Sequence, residues 1–137
     1  MASVRHEIVI DASPEHTWDV LRDVGAVHER LLPGRVTGTR VDDDQRFLTF
    51  PDGHVIRELI VAIDDDARRL AYSVVEGARP PVVHHHASFQ VRAEGAGASR
   101  LVWITDVLPH AFAAEIRIRV ERGAAEMKQA IEAAARG

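Results

Sequence analysis

Apolar and polar residues alternate through SVRHEIVID at positions 3–11, which puts Val4, His6, Ile8 and Ile10 on one face of a strand. A helix start follows directly, with Ser13 at the N-cap, Pro14 at the first helical position and Glu15 in the first turn. Trp18, Leu21 and Val24 then share one helical face. A second short helix is predicted over residues 26–32, ending at Pro33-Gly34. From Arg35 to Leu108 the period falls to two. Asp42-Asp43-Asp44, Pro51-Asp52-Gly53, Asp64-Asp65-Asp66, Gly77 to Pro81 and Glu94 to Gly97 divide this stretch into six strands. Beyond Pro109 the helical period returns: Phe112, Ile116, Val120, Gly123, Met127, Ile131 and Ala134 recur in three- and four-residue steps. That stripe spans about seven turns, or about 38 Å, and needs an apolar surface that only the sheet can supply.

The order of one strand, two short helices, six strands and one long helix defines an α+β chain. No repeat, linker or shift in composition divides its 137 residues. The opening IVIDASPEHTWDVLRD resembles that of START-like, Bet v 1-like (SRPBCC) proteins. RRLAYSVVEG, the Pro-Pro segment and LVWITDVLP are similar to the polyketide cyclase/dehydrase and lipid-transport branch of that superfamily. The resemblance implies a single domain over 1–137 with a helix-grip fold, a seven-stranded curved antiparallel sheet wrapped around the C-terminal helix with a cavity between them. It spans functions from aromatase/cyclases to lipid carriers and hormone receptors, so it speaks to fold more than to activity.

Turn geometry assigns the faces of the strands. A two-residue hairpin at Asp52-Gly53 would set Phe50 opposite Val55 and Leu48 opposite Arg57. A loop at Asp65 to Arg68 would pair Ile63 with Leu70, Val61 with Tyr72, Leu59 with Val74, and Arg57 with Glu76. The inward face then reads Val55, Leu59, Val61, Ile63, Leu70, Tyr72 and Val74, with Arg57 and Glu76 towards one end. In VVHHHASFQVR the inward set is Val83, His85, Ala87, Phe89 and Val91, and Trp103, Thr105 and Val107 join it from the last strand. With Phe112, Ile116, Val120 and Met127 from the helix, these positions define the expected ligand cavity.

Few of these residues carry chemistry. His85, set among aliphatic side chains, is a candidate acid/base or a hydrogen-bonding partner for a ligand carbonyl. Tyr72 and Trp103 combine an apolar body with a polar tip, and Arg57 with Glu76 is a candidate seat for a ligand carboxylate or phenolate. His84 and His86 point the same way, about 7 Å apart. Zinc would need a third ligand from another strand, so they are read as a polar outer face and no metal is expected. No Gly-rich phosphate loop, Gly-x-Ser-x-Gly or His-Glu-x-x-His occurs, and no cofactor is expected.

Composition narrows the classes further. Acids outnumber bases by 21 to 17 and the two are interleaved without a basic stripe, which argues against nucleic acid as a partner. The chain has no apolar run long enough for a membrane span and no signal-peptide pattern, which points to the cytoplasm. With no cysteine, disulfides and thiolate chemistry are excluded. The expected function is binding of a small hydrophobic molecule, such as a lipid, polyketide or aromatic metabolite, by a monomer or homodimer. The alternative is a polyketide aromatase/cyclase-type enzyme in which His85, or Tyr72 with Arg57, moves protons. Val102, Ile104 and Leu108 offer a small outer apolar patch for a dimer.

Overall fold

The computed structural model describes residues 2–137. Strand β1 (Ala2–Ile10) leads into helix α1 (Pro14–Arg22) and a π-helical turn at Val27–Leu31. Six strands follow: β2 (Gly38–Asp42), β3 (Gln45–Thr49), β4 (Val55–Asp64), β5 (Arg69–Glu76), β6 (His84–Glu94) and β7 (Ala98–Leu108). A 3-10 turn at His110–Phe112 then opens helix α2 (Ala113–Arg136). The second helix expected over residues 26–32 is this single wide turn.

The start of α1 follows from local chemistry. The Ser13 side chain accepts from the His16 backbone N–H at 3.1 Å, and Pro14 occupies the first turn, where its missing N–H costs nothing. Ser13→Ala is expected to lower stability by about 1 kcal/mol, read as a shift in the urea midpoint at unchanged slope. Helix α1 is anchored by Trp18, which is 6% exposed and donates its ring N–H to Asp65 Oδ1 at 2.9 Å.

All neighbouring strands are antiparallel, in the order β1-β7-β6-β5-β4-β3-β2, so β1 returns to pair with the last strand. The sheet grips α2, which buries Ile116, Val120, Ala124, Met127 and Ile131 against it. Gly123 lets α2 lie close against the Trp103 ring of β7. A Cβ there would lie 3.3 Å from the Trp103 ring.

Two registers differ from expectation. Phe50 donates its N–H to the carbonyl of His54 at 2.9 Å, and Gly53 takes a positive φ of 86°. The β3–β4 turn therefore uses three residues, Pro51-Asp52-Gly53, closing through a left-handed glycine. Thr49 then pairs with Val55, Leu48 with Ile56, and Phe47 with Arg57. Between β4 and β5, Ile63 pairs with Leu70 and Arg57 with Glu76 as expected. Between them, however, Ile60 faces Tyr72 and Glu58 faces Val74. Val61 is an extra residue in β4 and Val75 an extra residue in β5. Each bulge moves the following residues to the opposite face, and the second cancels the first. Ile56, Glu58 and Ile60 thus turn inward, while Val55, Leu59 and Val61 turn outward at 42%, 36% and 58% exposure.

Candidate functional site

A cavity of about 190 Å³ lies between the concave face of the sheet and α2, and it opens into an outer cleft of about 600 Å³. The strands contribute Leu48, Ile56, Tyr72, Val74, Phe89 and Trp103, so the inner wall is mainly apolar and aromatic. Alternate positions on β5, β6 and β7 bring three rings into a row. Their centroids are 5.9 Å apart for Tyr72–Phe89 and 4.7 Å apart for Phe89–Trp103. Ile116, Val120 and Met127 close the chamber from the helix, one and two turns apart.

The other candidate residues divide between the cavity and elsewhere. His85 and Thr105 are on its wall. Ala87 is 1% exposed and packs in the core beside it, and Phe112 stays in the turn ahead of α2, short of the wall. Arg57, Leu59 and Val61 are on the outer face of β4. The reason is backbone geometry, since the longer turn and the bulge at Val61 reverse the assumed alternation. Arg57 meets Gln45 Oε1 at 3.0 Å and Glu76 at 3.5 Å, as an ordinary cross-strand contact away from the cavity wall. Val83 lies ahead of β6 and is 84% exposed.

The same reversal brings in a pair that the two-residue turn had hidden. Arg46 and Glu58 are direct partners across β3 and β4, with Nη2–Oε1 at 2.6 Å and Nε–Oε1 at 2.8 Å. Both line the cavity, and their side chains are only 5% and 7% exposed. The guanidinium carbon of Arg46 lies 5.5 Å from the Tyr72 ring centroid. Had Pro51-Asp52-Gly53 been read as a three-residue loop, Arg46 opposite Glu58 would have been visible as an opposite-charge cross-strand pair. Arg35, Arg119 and Arg122 also line the cavity. The hydrophobic pattern does not mark the two on α2, which fall beside the apolar stripe rather than within it.

Burial keeps two groups of the chamber wall, His85 and Tyr72, in their neutral forms near pH 7. Burial lowers the His85 pKa to about 4, with smaller contributions from the charges of His84 and His86, so the ring is neutral near pH 7. Burial raises that of the Tyr72 hydroxyl, aided by the charge on Glu58, and keeps it protonated. His85 Nδ1, Trp103 Nε1, Thr105 Oγ1 and Arg119 Nε are buried without a hydrogen-bond partner, and all four residues line this cavity. On the opposite face of β6, His84 is exposed and His86 Nδ1 meets Ser73 Oγ at 3.0 Å. Among the described residues no three His, Asp or Glu side chains are grouped to hold a metal. Among the same residues no helix is long and apolar enough to cross a membrane.

The fold recurs in solved structures. The XoxI protein from Bacillus cereus superposes with a TM-score of 0.82 at 23% identity, over 98% of this chain and 96% of that one. Truncated norcoclaurine synthase from Thalictrum flavum gives a TM-score of 0.75 at 22% identity, over 96% of this chain and 91% of that one. The same synthase in complex with dopamine and hydroxybenzaldehyde gives 0.73 at 22% identity, over 96% and 84% of the respective chains. At these identities the likeness establishes a Bet v 1-like architecture and leaves activity open. A search of curated proteins returns no match. A family model matches residues 1–136, nearly the full length, and on that basis the chain belongs to the polyketide cyclase/dehydrase and lipid transport family.

Proposed function

We propose that this chain binds a hydrophobic small molecule in the chamber between the sheet and α2, as a carrier or sequestering protein. The observation that carries this reading is the set of buried polar atoms without protein partners, His85 Nδ1, Trp103 Nε1, Thr105 Oγ1 and Arg119 Nε, gathered on one otherwise apolar wall. Leaving such a group unpaired costs about 1–3 kcal/mol, and native folds rarely concentrate several in one place. Trp103 and Arg119 can only donate, so the occupant must offer acceptor oxygens or nitrogens. The ring row of Tyr72, Phe89 and Trp103 suits an aromatic or polycyclic body, and the synthase complex holds molecules of that class. Burying about 300 Å² of apolar ligand surface supplies about 7 kcal/mol before the cost of association, which is enough for useful affinity.

The cyclase-type alternative would draw on His85 for proton transfer. A general base works best with a pKa near the working pH, and His85 lies well below it, at about 4. Its chemistry fits a neutral hydrogen-bonding group that orients a ligand. The binding reading is tested with the neutral fluorophore N-phenyl-1-naphthylamine, which is expected to bind the wild-type chain with micromolar affinity. Ile56 lines both the chamber and the outer cleft, so Ile56→Trp should obstruct the passage and weaken binding at least about tenfold. If the wild-type chain does not bind the fluorophore, or the plugged variant binds it equally well, the cavity is not the binding site.

A further inference from the structure

We infer that the mouth of the chamber is a seat for an anion, so that the ligand is an amphipathic organic acid with its apolar body inside and its acid group at the rim. This rests on the cavity-binding reading and adds the class of molecule bound. The chain as a whole carries a net charge of −4, yet the outer cleft reverses that balance. Its lining holds Arg35, Arg79, Arg119 and Arg122 against Asp52 and Glu126 as the only carboxylates.

Two of the four arginines are already matched. Arg35 forks onto Glu126, with contacts of 2.9 and 2.7 Å, and Arg79 holds Asp52 at 2.9 Å. The other two are engaged more weakly, Arg122 only through the field it exerts on Glu126. Arg119 reaches Glu115 only at 3.5 Å through Nη2, while its buried Nε has no partner. Among the described residues Arg122 has no carboxylate within ion-pair distance. The pair is three residues apart on α2, hence on neighbouring positions of one helical face, and both line the inner chamber as well as the outer cleft. Two guanidinium groups with donors left over at the rim of an apolar hole offer charge-assisted, potentially bidentate bonds to an acid group. The low-dielectric wall strengthens that attraction. A neutral ligand would leave the Arg119 N–H unpaired unless it placed an acceptor at the same point.

Calorimetric titration of the full chain with 2-naphthoate and with 2-naphthamide tests this, because the two share a ring system and differ in charge. At about 20 mM salt the acid is expected to bind about tenfold more tightly than the amide, and raising the salt should erode only the acid's affinity. In the R119Q/R122Q double variant the ratio should fall towards one. Equal affinities in the wild-type chain would overturn the anion seat while leaving the cavity reading intact. A preference that survives in the double variant would also overturn it. If neither compound binds, the cavity reading falls and the anion seat falls with it.

Discussion

Replacing Glu58 with alanine is expected to destabilise the fold by about 3–5 kcal/mol in equilibrium urea denaturation, because it strands the Arg46 guanidinium in a site where that side chain is 5% exposed. Arg46 makes both of its short contacts to one carboxylate oxygen of Glu58, and no other carboxylate pairs with it among the described residues. The cost comes from the uncompensated charge rather than from the attraction itself, since taking two ions out of water offsets much of their mutual stabilisation. Arg46→Met combined with Glu58→Met should therefore recover most of the loss, as both desolvation penalties disappear together. A loss below about 1 kcal/mol for Glu58→Ala would show that solvent reaches the pair freely and that it behaves like a surface ion pair.

The second large effect is a dependence of stability on pH. His85 is held at a pKa of about 4 by burial, against 6.5 for an exposed histidine. Between those values the unfolded chain takes up a proton that the folded chain refuses. Its contribution is fully present above about pH 6.5, and it is lost as pH falls towards the folded value. For this residue alone the loss between about pH 7 and about pH 4.5 is about 2 kcal/mol. In His85→Gln, which keeps a neutral hydrogen-bonding side chain, that portion of the acid sensitivity should vanish. Urea midpoints measured for both proteins at the two pH values would decide it. Parallel losses in wild type and variant would place the titrating group elsewhere.

Much of this molecule can be read from its amino-acid order, for reasons that differ along the chain. Ser13-Pro14-Glu15 marks a helix start because each residue meets a purely local demand, and α1 begins there. The Ile116, Val120, Met127 and Ile131 stripe of α2 survives folding because its period matches a single uninterrupted helix. On β6 and β7, strict alternation brings His85, Phe89, Trp103 and Thr105 to one wall, since no irregularity interrupts either strand between them. β4 was misread because a turn one residue longer and two bulges leave no mark in hydrophobicity. Val61 and Leu59 are as apolar as any core residue, yet they face outward, while charged Glu58 is buried. The arginines of the rim were invisible for another reason. Their role depends on which carboxylates fail to reach them, a property of three-dimensional spacing.

The offset bulges at Val61 and Val75 have a wider consequence for how such a container can diversify. Between them Glu58, Leu59 and Ile60 pair with β5 one residue out of step with the ladder on either side, while their register with β3 stays unbroken. Omitting the residue ahead of Glu58 would turn Leu59 inward in its place opposite Arg46, so the exchange would also require an uncharged residue at position 46. Ligand preference would then shift through one indel and one matching substitution rather than through a long series of replacements. Comparing related chains position by position across this stretch would miss the exchange.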